Sequence, residues 1–194
     1  MTRASWLSRF STLSLGEELL LRPVQEDDAP QLAAMVQRSR AHLTPFLGDL
    51  LERVYDEPTA RAHLRAVGEL RARDELLELH LVERGALCGA LRLRSFDWRE
   101  GNANLGYLLD ARATGRGLAT RAARALVAWV FAELPIDRVE LRCAAGNAAS
   151  VAVAGRLGFQ REGTARAAER DGEGRRDVLV FSRLRTDPEP PARA

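Results

Sequence analysis

The chain lacks lysine altogether, because its 29 Lys and Arg positions are all arginine. This absence excludes a catalytic lysine, and it excludes the P-loop class of phosphate site, whose GxxxxGK[ST] motif requires one. Cysteine is also scarce: Cys88 and Cys143 each lie in an apolar stretch, and neither belongs to a CxxC pair or a metal-ligand spacing. We therefore expect two buried free thiols in a reducing compartment, and no metal site.

Long hydrophobic runs are missing as well. No segment approaches the ~18 consecutive apolar residues of a membrane span, and the N-terminal sequence MTRASWLSRFSTLSLGEE has no apolar core typical of a signal peptide. The net charge is +2, with 29 basic and 27 acidic residues, which gives little support to general nucleic-acid binding. The 194 residues with 46% apolar content predict one cytoplasmic domain with a sizeable core and no membrane or nucleic-acid partner.

Helix and strand patterns mix along the chain and predict an α+β domain over residues 16–185. A loose segment is expected at 1–15 and a flexible tail at 186–194, where TDPEPPARA is rich in proline. The expected strands are Leu19–Val24, LLELHLVER, GALCGALRLRSF, NANLGYLLD, DRVELRC, Gln160–Ala167 and RDVLVFSRL. Four helices are expected. The first is capped by Asp27 or Asp28, and the others cover Glu57–Arg73, Leu118 to about Ala132, and Ala148–Arg156.

The richest glycine signal is DARATGRGLATRAARALVAW, in which Gly115 and Gly117 directly precede an amphipathic helix that begins near Leu118. Free N–H groups at a helix start bind phosphate, and glycine lets an anion approach the backbone closely. A dinucleotide-binding fingerprint would need a third glycine where Thr120 stands. From the glycines alone, an ordinary strand-to-helix turn stays open as the alternative.

Further motifs follow in order. Arg112-Ala-Thr-Gly115-Arg-Gly117 resembles the (Q/R)xxGx(G/A) pyrophosphate loop of the GNAT acyltransferases, and that family's N-x-x-S and Gly-Phe elements are matched by Asn147-Ala-Ala-Ser150 and Leu157-Gly158-Phe159. The chain is most similar to the RimJ/RimL branch, the ribosomal-protein N-terminal acetyltransferases, over roughly residues 17–185. The resemblance implies a mixed, mostly antiparallel seven-stranded sheet with splayed fourth and fifth strands, flanked by about four helices. It also implies acetyl-CoA as co-substrate, without a metal.

The same resemblance implies where coenzyme A binds. The pantetheine arm is expected between the strands Asn104–Leu109 and Arg138–Cys143, where unpaired main-chain groups would bind it like another strand. The pyrophosphate is expected at the glycine turn, with Arg112 and Arg116 adding charge; for Arg116, a solvated surface position is the alternative. The residues assigned to the coenzyme are Leu108, Leu109, Arg112, Ala113, Thr114, Gly115, Arg116, Gly117, Leu118, Ala119, Thr120, Asn147 and Ser150.

Two side chains are expected to carry the chemistry. The resemblance places Ser150 near the coenzyme A sulfur, where its hydroxyl would give a proton to the departing thiolate. It places Glu169 where a carboxylate would accept the proton of the amine, with Glu162 as the competing carboxylate in a structural turn. A surface position is the alternative for both Ser150 and Glu169.

Main-chain and capping groups complete this expected site. A main-chain N–H near Leu108 or Leu109 would stabilise the oxyanion. Asn147 is expected near the pantetheine, and the compatible structural role is the N-cap of the next helix.

The predicted reaction is acetyl transfer to a primary amine by direct attack in a ternary complex. The resemblance makes a protein or peptide N-terminus, ribosomal or other, the favoured acceptor, and an α-amine with a pKa of about 7.7–8.0 would need only a modest base. The alternatives are a small-amine acyltransferase acting on a polyamine, amino acid or antibiotic, and a non-catalytic acyl-CoA-binding module. The oligomeric state, a homodimer included, stays open.

The sequence departs from the RimJ/RimL pattern at Leu108, where tryptophan is common, and at Arg121, where an acidic residue is common. The stretch His42–Tyr55 is expected to cover the acceptor site. His42, His63 and His80 fit no nucleophile pairing or metal-ligand spacing, so we interpret them as ordinary helix or strand histidines.

Overall fold

A computed structural model of the chain describes residues 5–16, 18–172 and 174–190, without the side chains of residues 47–50, 52 and 53. Within these ranges one sheet has the strand order β1-β2-β3-β4-β5-β6-β8-β7. The strands are β1 Leu13–Ser14, β2 Leu19–Pro23, β3 Leu76–Glu83, β4 Ala86–Asp97, β5 Asn102–Leu109, β6 Arg138–Ala144, β7 Gln160–Asp171 and β8 Gly174–Leu184. The α-helices are α1 Ala29–Arg38, α2 Arg40–Arg53, α3 Glu57–Ala72, α4 Leu118–Glu133 and α5 Ala148–Arg156.

The α+β class and the mixed, mostly antiparallel sheet are confirmed, and the element count is corrected. The described residues form eight strands rather than seven, because the two-residue β1 pairs with β2 and is too short to produce a periodic pattern. They form five α-helices rather than about four, because α2 continues through Pro45. Interior proline normally argues against a helix, and here the tertiary context overrides that preference.

The described part of the expected loose N-terminal segment is packed against the domain. Leu7 is 0% exposed and Phe10 is 2% exposed, and the Phe10 ring meets Trp129 edge-on at 4.8 Å between ring centroids. Asp74 accepts hydrogen bonds from the main-chain N–H groups of Trp6 and Leu7. The two buried side chains and the hydrogen bonds to Asp74 together hold residues 5–10 on the core, while the domain limits themselves stay a prediction.

Helices cover both faces of the sheet. The buried face of α4, which includes Leu118, Ala122, Leu126 and Val130, belongs to the larger apolar cluster together with residues of α5. Helices α1, α2 and α3 form a second cluster on the other face. No helix among the described residues is long and apolar enough to cross a bilayer.

Beneath α1 and α3, two of the three histidines interpreted as structural each meet a buried carboxylate, while His42 is exposed on α2. His80 Nδ1 lies 2.7 Å from Asp28, and His63 Nε2 lies 3.2 Å from Glu78. Burial alone would raise the pKa of Glu78, but the hydrogen bond from His63 and the charge of Arg92 lower it to about 2. These pairs satisfy buried charges within the second cluster, and they lie on the side of the sheet opposite α4.

Candidate active site

The candidate site begins where the two strands of the parallel pair separate. Register between β5 and β6 runs from Asn102↔Arg138 to Leu105↔Leu141 and stops there, although β5 continues to Leu109 and β6 to Ala144. Both strands keep their outer partners beyond this point, since Leu109 pairs with β4 and Ala144 with β8. The divergence leaves a wedge with unpaired strand edges on both sides, as the predicted splaying of these two strands required.

Main-chain donors of β5 line this wedge. The N–H of Asp110 donates to the Cys88 carbonyl on β4 at 2.9 Å. Because successive N–H groups of a strand point to opposite edges, the N–H groups of Leu109 and Tyr107 point away from β4 and toward the wedge. Of the two predicted oxyanion donors, Leu109 is the one whose N–H has this direction, and Leu108 is not.

Gly89 on β4 lets β5 come this close. A Cβ at Gly89 would lie 2.7 Å from the Leu108 carbonyl oxygen and 2.7 Å from the Leu109 side chain. Because the first neighbour is main chain, Gly89→Ala must displace the wedge edge of β5. We expect the unfolding free energy to fall by about 1–3 kcal/mol and kcat/KM for acetyl-CoA to fall with it, as measured by urea unfolding and steady-state kinetics.

Gly68→Ala is the matched control, because Gly68 lies in α3 with no atom within 4 Å of an added Cβ. This change is expected to stabilise the helix by up to about 1 kcal/mol. Equal behaviour of the two variants would contradict a packing role for Gly89.

The glycine turn lies at the start of α4. Gly115 and Gly117 both have φ of +74°, and a Cβ added at either would meet no atom within 4 Å. Gly117 is the N-cap of α4 and provides no side-chain cap, and the N–H of Arg121 is the one that donates to its carbonyl, at 3.0 Å. The N–H groups of Leu118, Ala119 and Thr120 therefore precede the first intrahelical bond and face an open turn, which is the arrangement that binds an anion.

A buried carboxylate that sequence reasoning missed fixes the loop before this turn. Asp110 is 3% exposed, accepts from Arg38 Nε at 2.6 Å and Ser39 Oγ at 3.3 Å, and caps the short 3-10 helix 111–113 through the Arg112 N–H at 3.0 Å. Ser39 Oγ also accepts the Ala111 N–H at 3.0 Å. Burial acts to raise the pKa of Asp110, but the Arg112 N–H and Arg38 hold it below its usual value. Arg38 and Ser39 are more than 70 residues away from Asp110 in sequence, so no local motif could indicate these two partners.

The two arginines of the loop, Arg112 and Arg116, are both exposed. Arg116 forms a two-pronged ion pair with Glu83 at 2.6 and 2.8 Å, with about half of its side chain exposed. This geometry favours the surface alternative for Arg116, although a pair this exposed is weak enough to exchange for a phosphate. The remaining loop members, Ala113 and Thr114, shape the backbone: Ala113 is buried and the Thr114 hydroxyl donates to the Ala111 carbonyl at 2.9 Å.

At the opposite side of the wedge, Asn147 caps α5. Its side-chain oxygen accepts the N–H of Ser150 at 3.0 Å, which is the structural role predicted as compatible with coenzyme binding. The cap places Ser150 in the first turn of α5, next to the C-terminal end of β6. Tyr107, which sequence reasoning missed, is close by: burial raises the pKa of this phenol, and the Ser150 side chain opposes the shift.

Glu169 and Glu162 lie on β7 in unlike settings. Glu169 is half-exposed and pairs with Arg176 at 2.7 Å, at the end of an irregular stretch in which Ala167 has φ of +48°. Glu162 accepts two bonds of 2.6 Å from Arg138 and one of 2.7 Å from Ser182, and these contacts lower its pKa.

The Cys143 thiol connects Glu169 to the wedge. Burial raises the pKa of Cys143, and the negative charge of Glu169 raises it further. Cys143 lies beyond Leu141, the last residue of β6 that pairs with β5, so of the two carboxylates Glu169 is the one whose charge reaches a residue at the wedge.

Comparison with known proteins agrees with this geometry. The model of the acetyltransferase (GNAT) domain matches residues 18–160. The Bacillus subtilis protein named "Putative ribosomal N-acetyltransferase YdaF" is 29% identical over 91% of this chain and 96% of its own. The ribosomal-protein-serine acetyltransferase of Escherichia coli is 24% identical over 89% and 96%.

A solved structure of RimL, described as a ribosomal L7/L12 α-N-protein acetyltransferase, has a TM-score of 0.85 and 26% identity, and the match covers 90% of this chain and 98% of that one. That structure contains coenzyme A in a disulfide with a cysteine.

An open helix-start turn beside a wedge between two strands defines a protein that holds an acyl-CoA and transfers its acyl group. The chain belongs to the GNAT acetyltransferase family. It is an N-acetyltransferase, and acetyl-CoA is its co-substrate.

Proposed function

We propose that this enzyme acetylates the α-amine at the N-terminus of a protein or peptide, with a ribosomal protein as the first candidate. The observation that supports acetyl transfer most directly is the wedge itself. It opens where the pairing of β5 with β6 ends, at Leu105 and Leu141, and the open glycine turn lies at one end of it. The relatives described as ribosomal-protein acetyltransferases align over nearly the whole chain. A cytoplasmic location and a homodimer stay predictions.

We propose the following roles for the wedge residues. The N–H groups of the turn and of the first turn of α4 hold the diphosphate, and the strand edges bind the pantetheine arm. The Leu109 N–H stabilises the charge that develops on the carbonyl oxygen. Glu169 takes the proton of the attacking amine, directly or through water, while Ser150 protonates the departing sulfur.

The acceptor class is tested by mass spectrometry of products formed from acetyl-CoA with a panel of amines. The panel includes a peptide with a free N-terminal serine and an internal lysine, the same peptide with a blocked N-terminus, and polyamines and free amino acids. We expect one acetyl group on the α-amine of the free peptide and none on the blocked one. Acetylated small amines with unmodified peptides would replace the proposal by the small-amine alternative, and acetyl-CoA binding without product would favour the binding module.

Cys143 gives a second test that does not depend on the acceptor. By register it lies beyond Leu141, the last residue of β6 that pairs with β5, in the part of the wedge where the sulfur of coenzyme A is expected. We predict thiol–disulfide exchange with coenzyme A disulfide: the Cys143 sulfur forms a bond to one sulfur, the S–S bond breaks, and one coenzyme A leaves as its thiol. Because burial raises the pKa of Cys143, the exchange should be slow and should accelerate as pH rises.

The measurement is peptide mapping, with Cys88 as the internal control. The Cys88 thiol donates to the Leu81 carbonyl, and burial raises its pKa to about 11. We expect a mixed disulfide at Cys143 that dithiothreitol removes and that Cys143→Ser abolishes. Modification of both cysteines alike, or of neither, would place the coenzyme sulfur elsewhere.

A further inference from the structure

Three side chains with exchangeable protons, Tyr107 of β5, Cys143 of β6 and Ser150 of α5, lie around the wedge on the side of α4 and α5. Side chains alternate along a strand, so Tyr107 is on the face of β5 that carries Ala103 and Leu105, and Cys143 is on the matching face of β6. Ala103, Leu105 and Cys143 belong to the larger apolar cluster, and Tyr107 packs against it. Extending the parallel register beyond Leu105↔Leu141 sets Tyr107 opposite Cys143 across the opening.

The Tyr107 hydroxyl is not explained by packing. Its oxygen is buried and has no partner at hydrogen-bonding geometry among the described residues. Buried hydroxyl groups are nearly always hydrogen-bonded, so an orphan one indicates a function or a ligand. Ser150, the residue proposed to protonate the departing sulfur, is near enough to this phenol to oppose the rise of its pKa.

We propose that Tyr107 is a positioning residue for the transfer step: its phenol donates to the Ser150 oxygen and turns the Ser150 hydroxyl toward the coenzyme A sulfur. The inference rests on the proposed function. As the bond from amine nitrogen to acetyl carbon forms and the carbon–sulfur bond breaks, Ser150 gives its proton to sulfur and takes one from Tyr107. Solvent returns a proton to the phenol, matching the one that Glu169 takes from the amine. The phenol is protonated at neutral pH, as this role requires.

Tyr107→Phe tests the proposal, with Ser150→Ala and the double variant completing a cycle. We expect kcat to fall about 10-fold or more and KM for acetyl-CoA to stay within about 2-fold of the wild type, because phenylalanine keeps the ring and removes the hydroxyl alone. The melting temperature should stay close to that of the wild type, because phenylalanine keeps the ring that packs against the larger cluster. In the Ser150→Ala background the same change should cost less than about 2-fold, because coupled residues are not additive.

The outcomes separate this inference from the proposed function. An active wild type with an equally active Tyr107→Phe variant overturns the inference alone, and so does an equal loss in both backgrounds. A wild type that binds acetyl-CoA and acetylates no amine overturns both. A lower melting temperature with unchanged kcat would assign Tyr107 to packing.

Discussion

Replacing Glu169 with glutamine is expected to lower kcat about 100-fold or more and to leave the Kd for acetyl-CoA unchanged. The amide is nearly the same shape and cannot accept a proton, so the amine would have to lose its proton to water. Steady-state kinetics with the best peptide, together with calorimetric titration of acetyl-CoA, separate the two quantities.

Glu162→Gln is the matched control for this prediction. It makes the same chemical change on the same strand, at a carboxylate that Arg138 and Ser182 already occupy. We expect it to retain turnover and to lose some stability through those contacts. If turnover survives in Glu169→Gln, or if Glu162→Gln loses as much, the proposed base is wrong.

Arg176 holds the Glu169 carboxylate in position. Its guanidinium pairs with Glu169 and also donates to the Pro45 carbonyl of α2. The hairpin of β7 and β8 therefore meets the helix formed from the stretch expected to cover the acceptor site. The carboxylate is held where α2 and the hairpin come together, and an amine entering between them would reach it.

The sequence predicted what local chemistry determines. Helix α4 followed from a run of small and apolar residues with helical spacing, and the turn before it from Gly115 and Gly117, whose φ of +74° is costly for other residues. The Asn147 cap followed in the same way, since its partner Ser150 is three residues away. The separation of β5 and β6 came from resemblance alone, because no pattern within either strand states where pairing stops.

Local sequence patterns could not predict the contacts between distant segments. Asp110 has the pattern of an ordinary residue after a strand, and Arg38 and Ser39 that of a helix end, yet both donate to the buried Asp110 carboxylate. Tyr107 was overlooked because tyrosine suits a half-buried strand, and the role proposed for it depends on Ser150 in α5. Helix α2 was overlooked because Pro45 interrupts its pattern.

Gly117→Ala is expected to raise the Kd for acetyl-CoA about 10-fold or more while the enzyme stays folded. Alanine at φ of +74° carries left-handed strain of about 1–2 kcal/mol, and its methyl group would project from the turn that the diphosphate is proposed to approach. Titration calorimetry with acetyl-CoA measures the affinity, and thermal unfolding measures the strain.

The strain and the loss of affinity can be separated with Gly85→Ala. Gly85 lies in the turn between β3 and β4 with φ of +77°, and, as at Gly117, an added Cβ meets nothing within 4 Å. Both variants therefore pay similar strain and create no clash within the described protein, so a difference in Kd must come from a ligand that approaches the backbone at Gly117. Equal Kd values in the two variants would mean that the diphosphate does not bind at the start of α4.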